Sequence, residues 1–317
     1  DSGGNYMVNN IFTLYGAYPK QWIDDGNGNA VYGSVQPEMK DALEKLADMY
    51  SGGLIDKQFV ARTSDDRKGL LNSGSSGAFF GNWWGAWEVA DSMSLDKEAE
   101  WVPYICPVGS EGKVTMFTGN PNSSYIVVRK DFEHPELVMK IASMQFDYSR
   151  NEEQDDEAYK ELADYAELNV SGSILATNID YYDGFPRSSK LVVDALKSGD
   201  TSQLNRNDMS TYLNNKKYLD SIENGEDSTS SGWASYNSMT CGSLVAETEV
   251  NKVTPVFFGN TQSMALRWPT LDKMEQEMLL KIITGEKPVD YFDEFVEEWN
   301  KVGGAQITEE VNQALEK

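Results

Sequence analysis

"SGAFFGNWWGAW", Ser76 to Trp87, sets two phenylalanines and three tryptophans within nine residues. Its first half, "GAFFGN", is bounded by glycines and β-favouring in content, which predicts a short buried strand. In a strand from Ala78 to Asn82, Phe79 and Phe80 face opposite sides, so both are buried if helices cover both faces. The turn at 81–85 then lies at the strand's carboxyl end, where open α/β sheets place their ligands. A helix starting near Gly85 sends Trp87 inward as packing. Asn82, Trp83 and Trp84 are left at the strand's end, free to meet a ligand.

The chain on either side alternates helix and strand signals. "DSGGNYMVNNIFTLYG" reads as loop then helix, and "DDGNGNAVYG", Asp24 to Gly33, has hairpin-turn composition. The Asp/Asn alternation of that turn is like a calcium loop but lacks the closing bidentate glutamate, so no metal is expected there. Pro37 opens a helix with Met39, Leu43, Leu46 and Met49/Tyr50 on one face, stopped by Gly52-Gly53. A loop and short helix lead to the aromatic stretch. Beyond it, "EWVPYICPVGSEGK" reads as a second strand with a turn at 109–113, and "SSYIVVRK" as a third. "HPELVMKIASMQFD" is a helix with Leu137/Val138, Ile141 and Met144/Gln145 on one buried face.

Residues 151–169 form a highly acidic run, expected as a solvated surface helix. Residues 170–232 are polar with short helical pieces, and 223–232, "ENGEDSTSSG", is the clearest flexible loop. "KVTPVFFG" makes another short strand. Two amphipathic helices, Thr270–Thr284 and Pro288–Val302, close the chain, broken by Gly285 and capped by Gly303-Gly304. No internal repeat is present. Strands alternating with helices in this way point to an α/β protein.

Composition narrows the function. The 317 residues suffice for a large domain or two lobes, and eight tryptophans argue for an ordered, well-filled interior. Net charge is −24, from 27 basic and 51 acidic residues. That field repels nucleic acid and anionic lipid alike. His134 is the single histidine, so a Ser-His-Asp triad or His-rich metal site would have to use it. Its place before Pro135 makes it a loop or capping residue instead. Cys106 and Cys241 form neither a zinc cluster nor a disulfide framework, and are bridged or free. No phosphate loop, zinc-protease helix or nucleophile elbow occurs, so no cofactor is expected.

Sugars offer a C–H face and a rim of hydroxyls, and are held by aromatic faces ringed by amides and carboxylates. "FFGNWWGAW" has that combination, with Asn82 beside Trp83 and Trp84. Trp233 and Tyr236 follow the flexible loop, which suits a mobile cleft wall. Arg267 and Trp268 form a further cluster with Gln262 and Ser263; Arg267 is equally suited to pair with a surface carboxylate in so acidic a chain.

Residues 263–312, "SMALRWPTLDKMEQEMLLKIITGEKPVDYFDEFVEEWNKVGGAQITEEVN", resemble the end of the family 1 extracellular solute-binding proteins of ABC importers. The large Gram-positive lipoprotein branch is the most similar. "PEMKDALEKLADMYSGGLIDKQF" and "VVRKDFEHPELVMKIASM" carry the resemblance upstream, and residues 151–250 are its least distinctive part. It implies a type II periplasmic-binding-protein-like fold of two lobes that close on a ligand, an oligosaccharide or related polyol. It places a stacking aromatic at Trp84 or Trp83 and a cleft-facing one at Trp268, and puts Asn120, Asn122 and Tyr125 where the chain crosses between lobes. The family's amino-terminal lobe, with its lipid-bearing cysteine, is expected before Asp1. Residues 1–116 are then the first part of the carboxy-terminal lobe, 117–150 a crossover piece of the other lobe, and 151–317 the mostly helical remainder. A chain so truncated is expected to bind sugar weakly or not at all on its own.

The function expected is non-catalytic capture of a carbohydrate by an extracellular, monomeric lipoprotein that hands it to membrane permease subunits. Two other classes use the same aromatic patch: a carbohydrate-active enzyme with an acid pair among its 51 carboxylates, and a surface adhesin. Bond cleavage marks the first, and an exposed tryptophan patch blind to soluble sugar marks the second.

Overall fold

The computed structural model describes residues 6–96, 98–105, 109, 112–120, 125–150, 175, 179–226 and 229–316. In chain order these form α1 (Tyr6–Leu14), β1 (Trp22–Asp24), β2 (Ala30–Tyr32), α2 (Met39–Ser51) and α3 (Ser64–Asn72). A single 3₁₀ turn, Trp83–Gly85, runs into α4 (Ala86–Val89), followed by α5 (Ser92–Leu95), β3 (Val114–Phe117) and α6 (Glu136–Arg150). Then come α7 (Gly184–Ser198), α8 (Arg206–Glu223), α9 (Ser230–Glu247), β4 (Val250–Val253), α10 (Gln262–Ile283), α11 (Tyr291–Trp299) and α12 (Ala305–Leu315). The described chain is a helix-rich α/β protein.

It divides into two units, one of residues 1–82, 105–120 and 248–317, the other of residues 83–104 and 121–247. In the first unit, the hairpin expected at 24–33 forms, with Trp22 opposite Tyr32 and Asp24 opposite Ala30. The Asp24 and Asp25 carboxylates accept backbone N–H groups across its turn, from Gly26 at 2.8 Å and Asn27 at 2.8 Å. β3 and β4 pair in parallel, Val114 opposite Val250. The expected helix after Pro37 forms as α2, burying Met39, Leu43 and Leu46.

These side chains share one core with Leu271, Met278 and Ile282 of α10, Phe292 and Phe295 of α11, and Ile307 and Val311 of α12. Tyr32 is its aromatic hub. Its ring stacks on Trp299 at 5.2 Å and meets Trp268 edge-on at 5.3 Å. Its hydroxyl donates to buried Glu275 at 2.9 Å, while Ser34 Oγ donates to the other carboxylate oxygen at 2.8 Å.

The second unit is built on α7, α8 and α9. Val192, Ala195 and Tyr212 form its core, with Met209 and Met239 packed against them. The small residues of α9 let α7 approach closely. A Cβ at Gly242 would meet Ser189 Oγ at 2.3 Å and the Phe185 ring at 2.6 Å. The turn from Trp83 into α4 packs on α9.

Several expectations are corrected. "GAFFGN" is not a strand: residues 77–82 have no regular structure, and Phe79 and Phe80 are half-buried, Phe80 on the first unit's core. "SSYIVVRK" and residues 101–105 of "EWVPYICPVGSEGK" also form no strand where described, and Tyr125 is 85% and Val127 88% exposed. Among the described residues these β-favouring runs have no ladder partner, and a strand exists only through pairing. The 109–113 turn does form, Gly109 N–H donating to Lys113 O at 3.0 Å. In α6 the covered face runs through half-buried Val138 and Ile141 and buried Gln145, while Leu137 and Met144, read onto the same face, are exposed.

Residues 184–223 hold two long helices where short pieces were expected, and a third, α9, starts at Ser230 inside the stretch read as a flexible loop. The strand expected at 252–259 is shifted to Val250–Val253. α10 begins eight residues before Thr270, capped by Thr261 and running through Pro269. Gly303-Gly304 is a kink, not a stop, since the helix resumes as α12. The acidic run 151–169 and Cys106 lie outside the described residues. His134 is exposed in a loop before α6, its Nδ1 3.2 Å from Glu136 Oε1.

Candidate functional site

The helical turn begins at Trp83, two residues earlier than the sequence predicts, and this rotates the aromatics. Side chains four apart share one face of a helix. Trp83 and Trp87 therefore form an outward pair, 44% and 49% exposed. Trp84 and Glu88 form the opposite pair, half-buried and buried. Trp87, expected to pack inward, is thus exposed. Trp83 lies against Phe185 of α7 with ring centroids 3.8 Å apart and planes tilted by 31°. Phe185 is the member that sequence reasoning missed, since it is distant in the chain and unmarked by any motif.

Trp233 is buried in α9, and the Asn237 side-chain amide donates to its carbonyl at 3.0 Å. Tyr236, also on α9, is half-buried with its ring 5.9 Å from Tyr218. The second unit therefore packs the turn and short helix that carry Trp83, Trp84 and Trp87 on α9, the helix that carries Trp233 and Tyr236. Tyr125 belongs to that unit and is exposed, away from regular structure.

Other candidates belong to the first unit. Asn82 and Asn120 are exposed at its chain boundaries. Trp268 is half-buried beside Tyr32. Arg267 is exposed, and its Nη1 donates to the Val302 carbonyl at 2.8 Å, a backbone partner in place of the surface carboxylate considered above. Asn122 lies outside the described residues.

The perturbed acids lie elsewhere. Burial raises the Glu275 pKa, offset in part by the Ser34 and Tyr32 hydroxyls. Burial likewise raises Asp208, and Ser188 and Arg150 oppose it. The Cys241 thiol, half-buried in α9, is pushed up to about 11 by burial. Among the described residues no three of His, Cys, Asp and Glu gather to hold a metal ion, and no helix is long and apolar enough to cross a membrane.

No protein-family model and no curated protein matches the sequence. The fold is similar to that in the crystal structure of alginate-binding protein AlgQ2 without calcium ion, with a TM-score of 0.52 at 17% identity. The likeness covers 99% of this chain but spans 63% of the length of that one. At such identity it shows a shared fold.

Proposed function

We propose that this chain belongs to a family 1 extracellular solute-binding protein of the large Gram-positive lipoprotein branch. It captures a carbohydrate, an oligosaccharide by preference, and delivers it without chemistry to an ABC importer's permease subunits. The observation that carries this reading is the fold shared with a protein named for binding alginate. The exposed Trp83–Trp87 pair, backed by Phe185, supplies the stacking faces such a ligand needs.

In this reading Trp83 and Trp84 contact the ligand first, and Trp233 and Tyr236 stiffen the wall behind them. Asn120, Asn122 and Tyr125 serve the crossover between lobes. The outward Tyr125 and Val127 side chains support giving residues 117–150 to a piece that joins the other lobe. Ligand shifts an open–closed equilibrium because its contacts come from both lobes. The protein works as a monomer at the cell surface.

A thermal-shift screen against a glycan panel, with the recovered glycans chromatographed, tests this. At least one oligosaccharide should raise the melting temperature and be recovered intact. Cleavage would make the protein an enzyme, and no shift with any glycan would remove the binding role.

A further inference from the structure

A cleft of about 870 Å³ opens within the second unit, between the end of α6, the start of α7 and the loop leading into α8. Its volume falls in the range of roughly 300–1,000 Å³ typical of small-molecule sites. None of the aromatic candidates above lines it. α7 serves two sides: Phe185 and Ser189 turn toward Trp83 and α9, whereas Arg187 and Ser188 line the cleft.

Its polar wall is already ordered. The Arg150 guanidinium donates to both Asp180 carboxylate oxygens, through Nε at 2.6 Å and through Nη2. Arg150 Nη1 also reaches Ser188 Oγ at 3.4 Å. Ser188 Oγ in turn donates to Asp208, which is 4% exposed and whose backbone N–H donates to Asn205 Oδ1 at 2.8 Å. This chain of contacts joins α6, α7 and α8 and fixes the directions of the groups on the wall.

Charge selects the ligand class. The lining holds two arginines, Arg150 and Arg187, and two aspartates, Asp147 and Asp208. Arg150 is also matched by Asp180. With Asp180 counted, three carboxylates stand against two guanidiniums, so the wall does not draw an anion and offers fixed donors and acceptors side by side. Phe146 and Tyr181 add apolar ring surface, meeting edge-on at 5.1 Å, and Arg187 lies over the Tyr181 ring at 5.1 Å. Planar polar groups beside aromatic rings fit adjacent hydroxyls carried on a C–H face.

We propose that this cleft is a second binding site, for a neutral saccharide of one to three sugar units, separate from the Trp83–Trp87 surface. Exposed Arg187 and Gln203 supply its adjustable hydrogen bonds, and Tyr181 its stacking face.

Saturation-transfer NMR with maltose, cellobiose and mannotriose tests it on the whole chain. At least one sugar should give saturable transfer in the wild type, and a saturable part of it should remain in W83A, where the aromatic surface is weakened. R187A and Q203A should each weaken that binding about three- to tenfold, as loss of one or two hydrogen bonds implies. Both positions are exposed, so far-ultraviolet circular dichroism should not change. Transfer lost entirely in W83A, unchanged in both R187A and Q203A, or absent with all three sugars overturns the site. Tighter binding of a uronic-acid disaccharide than of any neutral sugar overturns its ligand class. Because W83A reports on the aromatic surface alone, failure there and failure here are read separately.

Discussion

Trp83 and Trp87 differ in how they are held. Trp83 has one ring face on Phe185 and is pre-positioned, while Trp87 is equally exposed on the same side of the turn. Removing Trp83 should therefore cost about 1–2 kcal/mol of sugar binding, roughly five- to thirtyfold, and removing Trp87 somewhat less. F185A should mimic W83A in part by freeing the indole. Calorimetric or fluorescence titration checks all three. The sequence made the aromatic cluster visible, but the facing of each ring depended on where one short helix starts. A start at Gly85 turns Trp87 inward, and a start at Trp83 turns it out. Glu275 permits a separate prediction. Burial holds its folded pKa above the unfolded value, so the folded state keeps a proton that the unfolded state has released. Its stability contribution is full below the unfolded pKa and is lost as pH rises through the folded one. Glu310 has the opposite sign: the Ser263 hydroxyl, then Thr261, lowers it to about 2, so its contribution is lost as pH falls toward that value. Urea unfolding across pH should show E275Q abolishing the first loss and E310Q the second. Because the Tyr32 and Ser34 hydroxyls donate to both Glu275 oxygens, E275Q should also lower stability throughout by about 1–3 kcal/mol.

Helices were legible where their period and their stop signals are local. α2 forms as expected from Pro37, its apolar face and Gly52-Gly53, and truncating fully buried Leu46 in L46A should cost about 2–5 kcal/mol by denaturant titration. The strand readings failed for the opposite reason. A run such as Tyr125–Val128 has strand composition, but pairing is set by distant chain, and β3 and β4 find each other across 136 residues, as the Thr115–Asn251 pair shows. Gly303 was read as a helix end on the same local logic. Its φ of +147° instead makes a kink, and an added Cβ would meet Arg267 Cδ at 2.3 Å. G303A should destabilise by about 1–3 kcal/mol and displace the Arg267–Val302 contact that pins α10 to the kink. Thermal melts of G303A, R267A and the double variant give that coupling, which should be far from additive.

Across the whole molecule the dominant sequence property is the charge of −24, which repels itself in the folded state and is screened by salt. Raising sodium chloride should therefore increase the melting temperature, and an unchanged or lower value would contradict that field. The α/β class was legible in alternating helix and strand signals, several of whose strands do not form. The family resemblance was legible chiefly in the terminal helices, and the shared fold agrees with the α/β class at a coarse level. The partition into units was harder to read, because a boundary falls between Asn82 and Trp83, inside the stretch that sequence treats as one piece. The central claim is that the exposed indoles hold a carbohydrate without cleaving it. It is tested most directly by titrating the tryptophan fluorescence with the oligosaccharide that most raises the melting temperature, in the wild type and in W83A/W87A. The account predicts a saturable change in the wild type, at least tenfold weaker in the double variant, with the sugar recovered whole. An identical titration in both proteins, or cleaved sugar, would contradict it.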